Sequence, residues 1–306
     1  MPHRLFSNKA KAVFLTLLAG ALWGTSFPII KIGLKTIDPF TFVFWRFFVS
    51  CVTLLAVMLL FKKLEFKASN KKLLIFLGIS NAAGYLLQYV AMPYTTAAKA
   101  ALFINLSAIW VAILSPKLLG EKFSSKKVAG VLFGLAGIIF VSTNLDFSTL
   151  SQGQTVADVL LIISGLTWAL FMIYNKKLVT NSTSATFQNM TIVLMLTFIA
   201  IAPFSLLAGP NFFALDGWAW AAIVWTAIVC WVLPYYLWLE GLKHLSASTS
   251  TVLLLSEIVV AVIASIVILK EPITIFSTIG AFLIVIAIAL VSIRDKRANA
   301  EKTVNK

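Results

Sequence analysis

Apolar stretches, each long enough to cross a membrane as a helix, recur along the whole of this chain of 306 residues. A helix needs about 20 apolar residues to cross the hydrocarbon layer of a bilayer, and short polar connectors separate these stretches. Because 60% of the residues are hydrophobic and only 12% are charged, the chain has too little polar surface to cover a water-soluble fold. The sequence therefore predicts an all-α integral membrane protein.

Ten transmembrane helices are predicted, labelled α1 to α10. The first follows a basic N-terminal region, but it is long and is followed by further apolar stretches, so it is interpreted as a retained helix rather than a cleaved signal peptide. The predicted ranges are 12–33, 39–61, 72–92, 96–117, 125–143, 157–178, 186–207, 217–239, 246–269 and 274–293.

The net charge of +14 would suit a protein that binds nucleic acid, but the basic residues are distributed differently. They lie in connectors and tails that alternate along the chain. With the N-terminus inside, 20 of the 25 Lys and Arg residues fall on that side and four on the other. Short loops on the cytoplasmic side of membrane proteins carry this excess. The pattern predicts a multi-pass protein of the cell (plasma or inner) membrane with both termini in the cytoplasm and no nucleic-acid partner.

The chain contains an internal repeat. Positions in α1 recur in α6 at an offset of 145, and the stretch 85–142 can be laid on 235–292 at an offset of 150. Since each repeat holds five helices, an odd number, the second enters the membrane from the opposite side, as in many transporters. Matched pairs are Trp23 with Trp168, Lys31 with Lys176, Tyr85 with Tyr235, Ala97 with Ala247, and Glu121 with Glu271.

The repeat predicts two units of five helices each, inserted in the membrane in opposite orientations. The first covers residues 1–143 and the second covers residues 157–293. An external linker at 144–156 joins them, and a basic cytoplasmic tail follows at 294–306.

Several motifs resemble the EamA branch of the drug/metabolite transporter superfamily. They are Ala21-Leu22-Trp23-Gly24 with a lysine eight residues after the tryptophan, an arginine (Arg46) after the Asp38-Pro39 start of α2, and a glutamate that ends both α4 and α9. The resemblance covers nearly the whole chain. It implies a ten-helix carrier with a central cavity between the repeats, which exports or imports amino acids, nucleobases or other metabolites.

One feature of that family is missing. Many relatives have a proline thirteen residues before each of these glutamates, and here the positions hold Ala108 and Ile258. We therefore expect α4 and α9 to lack the kink that such a proline produces.

Polar and aromatic stripes at helical spacing mark candidate walls of a central cavity. The clearest stripe is in α3, and the offset of 150 maps it onto a second stripe in α8. The alternative is that these side chains bond or pack between helices, as such residues often do in membrane bundles. The α3 stripe is Asn81, Tyr85 and Gln88, and the α8 stripe is Trp231, Tyr235 and Trp238.

Further candidates for contact with a substrate lie on α1, α4 and α6. The faces of α1 and α6 are weaker, and packing explains them equally well. In α4, Ser107 is the repeat partner of Glu257 in α9, so one half of the site would present a hydroxyl where the other presents a carboxylate. These candidates are Trp23, Trp168, Asn175, Asn105, Ser107 and Trp110.

Two charged residues fall inside predicted helices. Glu257 lies in the middle of α9, where a charge is costly without a partner or water. It is a candidate for binding a proton or a cationic solute, or for an ion pair with Arg46. For Arg46 the alternatives are this pair or a side chain that extends to the lipid headgroups.

Prolines, cysteines and glycines within the helices predict local structure. Pro28 and Pro234 each remove a backbone donor, which predicts a kink in α1 and α8. Cys51 and Cys230 lie in helices and predict neither a disulfide framework nor a metal site. The α5 glycines, Gly130, Gly134 and Gly137, permit close helix contact, either within the chain or between the protomers of a homodimer.

Other classes of function find less support in the sequence. An intramembrane enzyme needs a catalytic constellation, and the two histidines, His3 and His244, lie near a chain end and a loop. No Walker-type phosphate loop occurs, so neither direct use of ATP nor any other cofactor is expected, and a channel would favour rings of like residues. The sequence predicts a secondary transporter of small metabolites, with amino acids or related solutes and efflux favoured. The alternatives are a proton-coupled multidrug or cation exporter and, less well supported, a channel or intramembrane enzyme.

Overall fold

The computed structural model describes residues 2–60, 70–94, 100, 103–122, 124–143, 145–146, 155–269 and 274–292. Within them, helices occupy the positions of all ten predicted spans. Seven are long and apolar enough to cross a membrane, and α4 and α10 contain shorter apolar helices. The all-α membrane fold is thus confirmed. Most of the predicted linker, Glu271 and the basic tail lie outside the described residues.

The helices begin and end close to the predicted bounds, except that α1 begins at Pro2 and the longest segment of α4 begins at Ser107. Among the described residues, five spans consist of more than one segment, namely α1, α4, α7, α8 and α9. The helices are α1 (Pro2–Gly24 and Ser26–Gly33), α2 (Pro39–Leu60), α3 (Lys71–Ala91), α4 (Ser107–Leu119), α5 (Ser125–Thr143), α6 (Thr155–Leu178), α7 (Thr183–Ile201 and a 3-10 turn, Ala202–Leu207), α8 (Gly217–Ala227, a π-helical turn at Ile228–Val232, and Leu233–Leu242), α9 (Ala247–Leu254 and Ser256–Leu269) and α10 (Ile275–Ser292).

Polar side chains fix where several helices begin. Asn70 precedes α3, and its side chain accepts a hydrogen bond from the Leu73 amide at 3.1 Å. Asp216 does the same for α8, accepting from the Ala219 amide at 2.7 Å. Such caps satisfy backbone donors that the helix itself leaves free. At the other end of α4, Gly120 adopts a left-handed backbone with φ of 66°, the usual way for a helix to stop at glycine.

Large apolar side chains cover the outer surface of the bundle. Ile79 on α3 is 57% exposed, Leu132 on α5 is 61% exposed and Phe282 on α10 is 65% exposed. Side chains of this kind are stable on a surface that faces lipid, because hydrocarbon solvates them.

Each repeat places its first helix against the third and fourth helices of the other repeat. Thus α1 packs on α8 and α9, whereas α6 packs on α3 and α4. The two arrangements correspond under the repeat, since α1 matches α6, α8 matches α3 and α9 matches α4. The two halves are therefore intertwined rather than side by side.

Two repeat-related glycines show how close this contact is. A Cβ atom added to Gly20 in α1 would lie 3.1 Å from the Leu254 carbonyl oxygen in α9. A Cβ atom added to Gly165 in α6 would lie 2.8 Å from the Phe103 carbonyl oxygen and 3.0 Å from that of Ile104 in α4. The two glycines are separated by the same offset of 145 that relates α1 to α6.

Both glycines face an irregularity: α4 and α9 are interrupted there, although we expected neither helix to have the family's proline kink. A turn at Leu106 interrupts α4, and a turn at Leu255 interrupts α9. At each, backbone bonds span three residues: Ile109 donates to the Leu106 carbonyl at 2.9 Å, and Ile258 donates to the Leu255 carbonyl at 3.0 Å. The breaks occur without proline, where the chain passes the flat glycine surface of the opposite repeat.

The glycine face of α5 contacts α10 of the same chain. Gly137 approaches Gly280 so closely that a Cβ atom on Gly137 would lie 2.7 Å from the Gly280 carbonyl oxygen. Gly130 and Gly134 also face side chains of α10. This face is therefore occupied within one chain and is not the surface for a second protomer, so the predicted homodimer would have to use another one.

Glu121, at the end of α4, caps the start of α9 in the other repeat. Its carboxylate accepts hydrogen bonds from the Ala247 amide at 2.5 Å, the Ser248 amide at 3.2 Å and the Ser248 hydroxyl at 2.5 Å. Nearby, the Lys176 ammonium donates to the Leu242 carbonyl at the end of α8, at 2.6 Å. An anion at a helix N-terminus and a cation at a C-terminus both suit the helix dipole.

We expect Glu121→Ala to lower the free energy of unfolding by about 1 kcal/mol or more, because two amides and a hydroxyl lose their acceptor. Glu121→Gln keeps one acceptor oxygen and should lose less. Thermal unfolding of the purified protein measures both. Glu240→Gln is the matched control, since that carboxylate contacts Lys243 three residues away, 2.6 Å apart, glutamine keeps an acceptor oxygen there, and an i,i+3 pair on a helix contributes about 0.2–0.5 kcal/mol. Equal melting temperatures for Glu121→Ala and Glu240→Gln would contradict the capping role.

Candidate functional site

A cavity lies at the centre of the bundle and is walled by α1, α2, α3, α4, α6, α8 and α9. All six helices predicted as walls contribute, and α2 is added through Arg46. The cavity has a volume of about 80 Å³, measured as the space open to the centres of water molecules. This is room for a few waters. A solute of amino-acid size therefore requires the walls to part. The predicted residues that line it are Trp23, Tyr85, Gln88, Asn105, Ser107, Trp168, Trp231, Trp238 and Glu257.

Four predicted residues lie away from the cavity and make contacts between helices instead. The Asn81 amide donates to the Thr197 hydroxyl of α7 at 3.0 Å. The Tyr235 hydroxyl donates to the Asn175 side-chain oxygen at 2.9 Å. Trp110 packs on a small apolar cluster around Val111. These four side chains therefore bond or pack between helices, which is the alternative that the sequence left open.

Trp231 lies at the centre of an aromatic cluster around the cavity. Its ring centroid is 4.9 Å from that of Tyr85, 5.9 Å from Trp168 and 6.0 Å from Trp23. It also stacks on Tyr235 at 5.3 Å, and only 1% of its surface is exposed. Pairs of this kind add stability beyond the area they bury, so the walls are held in place by ring contacts between α1, α3, α6 and α8.

Arg46 neither extends to the headgroups nor pairs with Glu257. Its side chain is 1% exposed, and no ion pair within 4 Å joins it to any carboxylate of the described residues. Instead its guanidinium donates to the Tyr89 hydroxyl at 2.6 Å, and at 3.4 Å to the Tyr85 hydroxyl and the Cys230 carbonyl. It also lies 4.7 Å from the centre of the Tyr85 ring, a favourable cation–π distance.

The two predicted kinks coincide with irregular backbone. Thr25 interrupts α1 three residues before Pro28, and its hydroxyl donates to the Leu22 carbonyl at 2.8 Å. The π-helical turn of α8 ends two residues before Pro234. The Cys230 carbonyl, which Pro234 cannot bond as a helix would require, accepts from Arg46 instead. This proline thus helps to hold the buried cation.

Glu257 lies at the cavity, two residues after the break in α9. Asn105 of α4 lines the same cavity. On the other side, α1 approaches so closely that a Cβ atom on Gly24 would clash with the Glu257 carbonyl oxygen. Glu257, which belongs to the second repeat, therefore lines the cavity where its helix packs against α1 of the first repeat.

Sequence reasoning missed Phe171, Thr251 and Leu254 among the cavity residues. The spacing contains a signal for them. Phe171 follows Trp168 by three residues and Leu254 precedes Glu257 by three, so each shares a helical face with a predicted residue, and Thr251 precedes Leu254 by three. Thr251 and Leu254 were missed because a search for polar or aromatic stripes does not select single threonine or leucine side chains, and Phe171 was missed because only Trp168 and Asn175 were selected on α6.

Similarity to known proteins agrees with this geometry. The model of the EamA-like transporter family matches residues 10–143 and 155–293. An uncharacterized transporter of Archaeoglobus fulgidus is 28% identical over 94% of this chain and 99% of its own. A probable amino-acid metabolite efflux pump of Escherichia coli is 25% identical over 88% of this chain and 91% of its own. A crystal structure with 17% identity has a TM-score of 0.76, covering 92% of this chain and 96% of its own, and so shares the fold. The resemblance inferred from the motifs is confirmed, and the chain belongs to the EamA-like transporter family.

Proposed function

We propose that the protein is a secondary carrier of small metabolites, with amino acids or related solutes as its substrates, and that it exports them. The observation that carries the proposal is the central cavity, which lies where the two repeats meet and contains a buried cation and a carboxylate, Arg46 and Glu257. Polar groups this deep in a membrane are costly and mark the path of a solute.

Alternating access is the mechanism that the architecture favours. The first helix of each repeat packs on the opposite repeat, and the breaks at Leu106 and Leu255 divide α4 and α9 beside the cavity. Broken helices at the centre of inverted repeats are typical of carriers that rock around a fixed site. In this proposal the four helix segments tilt about these breaks and expose the cavity to one side of the membrane at a time.

Direction and location are part of the same proposal. One relative is named a probable amino-acid metabolite efflux pump, which favours export. The excess of basic residues in alternate connectors favours both termini in the cytoplasm, in the cell membrane.

The test is solute counterflow in liposomes that contain the purified protein. Vesicles loaded with an unlabelled amino-acid mixture should accumulate a labelled amino acid from outside, and empty vesicles should not. Trp218→Ala serves as a control, because this residue is 86% exposed and remote from the cavity, and it should transport normally. Failure of counterflow for amino acids, nucleobases and organic cations alike would contradict a carrier function.

A proton-coupled exporter is the second candidate, because Glu257 places a carboxylate at the cavity. If protons exchange at this residue, an imposed pH gradient should drive uphill transport by the unaltered protein. In Glu257→Gln the gradient should no longer drive accumulation, whereas counterflow without a gradient should persist. The measurement is uptake with and without the gradient. Gradient-driven accumulation that survives in Glu257→Gln would show that Glu257 is not the coupling site.

A further inference from the structure

The first part of α9 is a short, separate helix that is buried in the bundle. It begins at Ser246, whose hydroxyl accepts a hydrogen bond from the Thr249 amide at 3.2 Å, and it ends at the break at Leu255. Each of its eight residues, Ala247–Leu254, is at most 7% exposed. Because the regular helical hydrogen bonds are interrupted at Leu255, this helix can tilt separately from the rest of α9. We call it the α9 start segment.

The α9 start segment lies between the central cavity and one end of the bundle. Thr251 and Leu254 line the cavity, and the Ser250 hydroxyl accepts from the indole nitrogen of Trp238, another cavity residue, at 2.8 Å. Ala247 lies four residues before Thr251, which places it about 6 Å further along the helix axis. The end of the bundle that it approaches carries most of the basic connectors and is the end predicted to face the cytoplasm. We call it the basic end.

At the basic end, a carboxylate of the other repeat holds the segment. Gly120 ends α4 in a left-handed conformation, and Glu121 is the next residue. Its carboxylate accepts hydrogen bonds from the Ala247 amide at 2.5 Å and from the amide and the hydroxyl of Ser248 at 3.2 and 2.5 Å. Bonds to a charged acceptor are stronger than bonds between neutral groups. Glu121 therefore joins the first repeat to the second, beyond the cavity.

The other side-chain bonds of the segment that the structure describes stay within the second repeat. Ser250 bonds to Trp238 of α8, and the Thr251 hydroxyl donates to the Met172 sulfur of α6 at 3.5 Å. Helices α1, α4 and α5 of the first repeat pack on the segment. Packed helices can slide past one another by small steps, whereas three short bonds to one carboxylate are lost together when the segment moves away.

We propose that Glu121 is a latch that keeps the basic end of the cavity closed, and that the cavity opens to this side when the α9 start segment leaves the carboxylate. Glu121 is a positioning residue, since it holds the segment and is not among the residues that line the cavity. The inference rests on the proposed transport function, because it names the contact that controls access to the site of the proposed carrier. In the structure the latch is closed.

The first test measures how fast a cysteine in the cavity wall is labelled from each side of the membrane. Thr251→Cys is introduced into the full-length protein after both native cysteines, Cys51 and Cys230, have been replaced by alanine. Right-side-out and inside-out vesicles are treated with a charged thiol reagent that cannot cross the membrane. Adding Glu121→Gln should raise the labelling rate from the basic end by about tenfold, the equivalent of one bond to a charged group. It should not raise labelling from the opposite side.

Glu240→Gln is the matched control for this labelling. Its carboxylate lies near the same end of the bundle but contacts Lys243 of its own helix, so labelling should stay the same from both sides. If Glu121→Gln also leaves labelling unaltered, Glu121 is not a latch. If Glu121→Gln raises labelling equally from both sides, the substitution has only loosened the fold, and the proposal fails as well.

A second test holds the latch closed instead of weakening it. Glu121→Cys and Ser248→Cys, in the same background, replace two side chains that are 2.5 Å apart, and a short methanethiosulfonate reagent with two reactive ends joins them. Cross-linking should abolish counterflow, and a reducing agent should restore it. The control joins Glu240→Cys to Lys243→Cys within α8 and should leave counterflow unaffected. Normal counterflow by protein that is fully cross-linked between positions 121 and 248 would overturn the proposal.

The outcomes separate the latch from the carrier function. If the unaltered protein shows no counterflow of any solute, the carrier function fails, and the labelling still decides whether Glu121 closes the basic end. If counterflow occurs but labelling and cross-linking match their controls, the protein remains a carrier and the latch is rejected.

Discussion

Gly165→Leu should prevent the protein from folding and so abolish transport. This is the largest effect that we expect from a single substitution. Even the first atom of that side chain would lie 2.8 Å from the Phe103 carbonyl oxygen and 3.0 Å from that of Ile104. Both are backbone atoms, so no rotamer change can relieve the contact. Overpacking of this kind costs roughly 1–3 kcal/mol per site and more when backbone must move.

Alanine substitutions give a graded version of this experiment. Gly165→Ala should lower the melting temperature most. Gly20→Ala should lower it less, because the atom nearest to the new Cβ is the Ser256 hydroxyl, which can rotate, while the Leu254 carbonyl oxygen is 3.1 Å away. Gly217→Ala is the matched control, since nothing lies within 4 Å of its added Cβ. Thermal unfolding and the yield of monodisperse protein measure the series, and equal behaviour of Gly165→Ala and Gly217→Ala would contradict the role of the contact.

Trp231→Ala should be the most damaging change in the cavity wall. The side chain is 1% exposed and contacts rings from α1, α2, α3 and α6, so its loss should cost about 3–5 kcal/mol and eliminate counterflow. Trp231→Phe keeps a ring and should retain most of the stability. Trp218→Ala provides the control within the same helix, because Trp218 is 86% exposed. Similar losses of stability in Trp231→Ala and Trp218→Ala would show that the aromatic cluster does not hold the walls.

The helical spans were predictable because lipid imposes a length and an apolar composition on each of them. The prediction of 39–61 for α2 compares with Pro39–Leu60 in the structure. Segment bounds within a span were not predictable in the same way. The breaks at Leu106 and Leu255 have no local marker such as proline, because they depend on the packing of α6 and α1 against α4 and α9.

The candidate site was predictable in part. Helical spacing selected Tyr85 and Gln88 on α3, which line the cavity, but also Asn81, which is covered by α7 and bonds to Thr197. Periodicity shows which residues share a face of a helix, but it does not show which neighbouring helix covers each of them. The same limit applies to Arg46, since its tyrosine and carbonyl partners come from α3 and α8, far away along the chain.

The contact between a glycine and a helix break also has a consequence for the origin of the chain. A single five-helix half carries one of each: the first half has Gly20 and the break at Leu106. Two identical halves inserted in opposite directions would therefore satisfy both contacts with one sequence. Such an antiparallel pair would need only one gene, whereas in this chain the two halves differ beside the broken helix, where the second offers a carboxylate, Glu257, and the first a hydroxyl, Ser107.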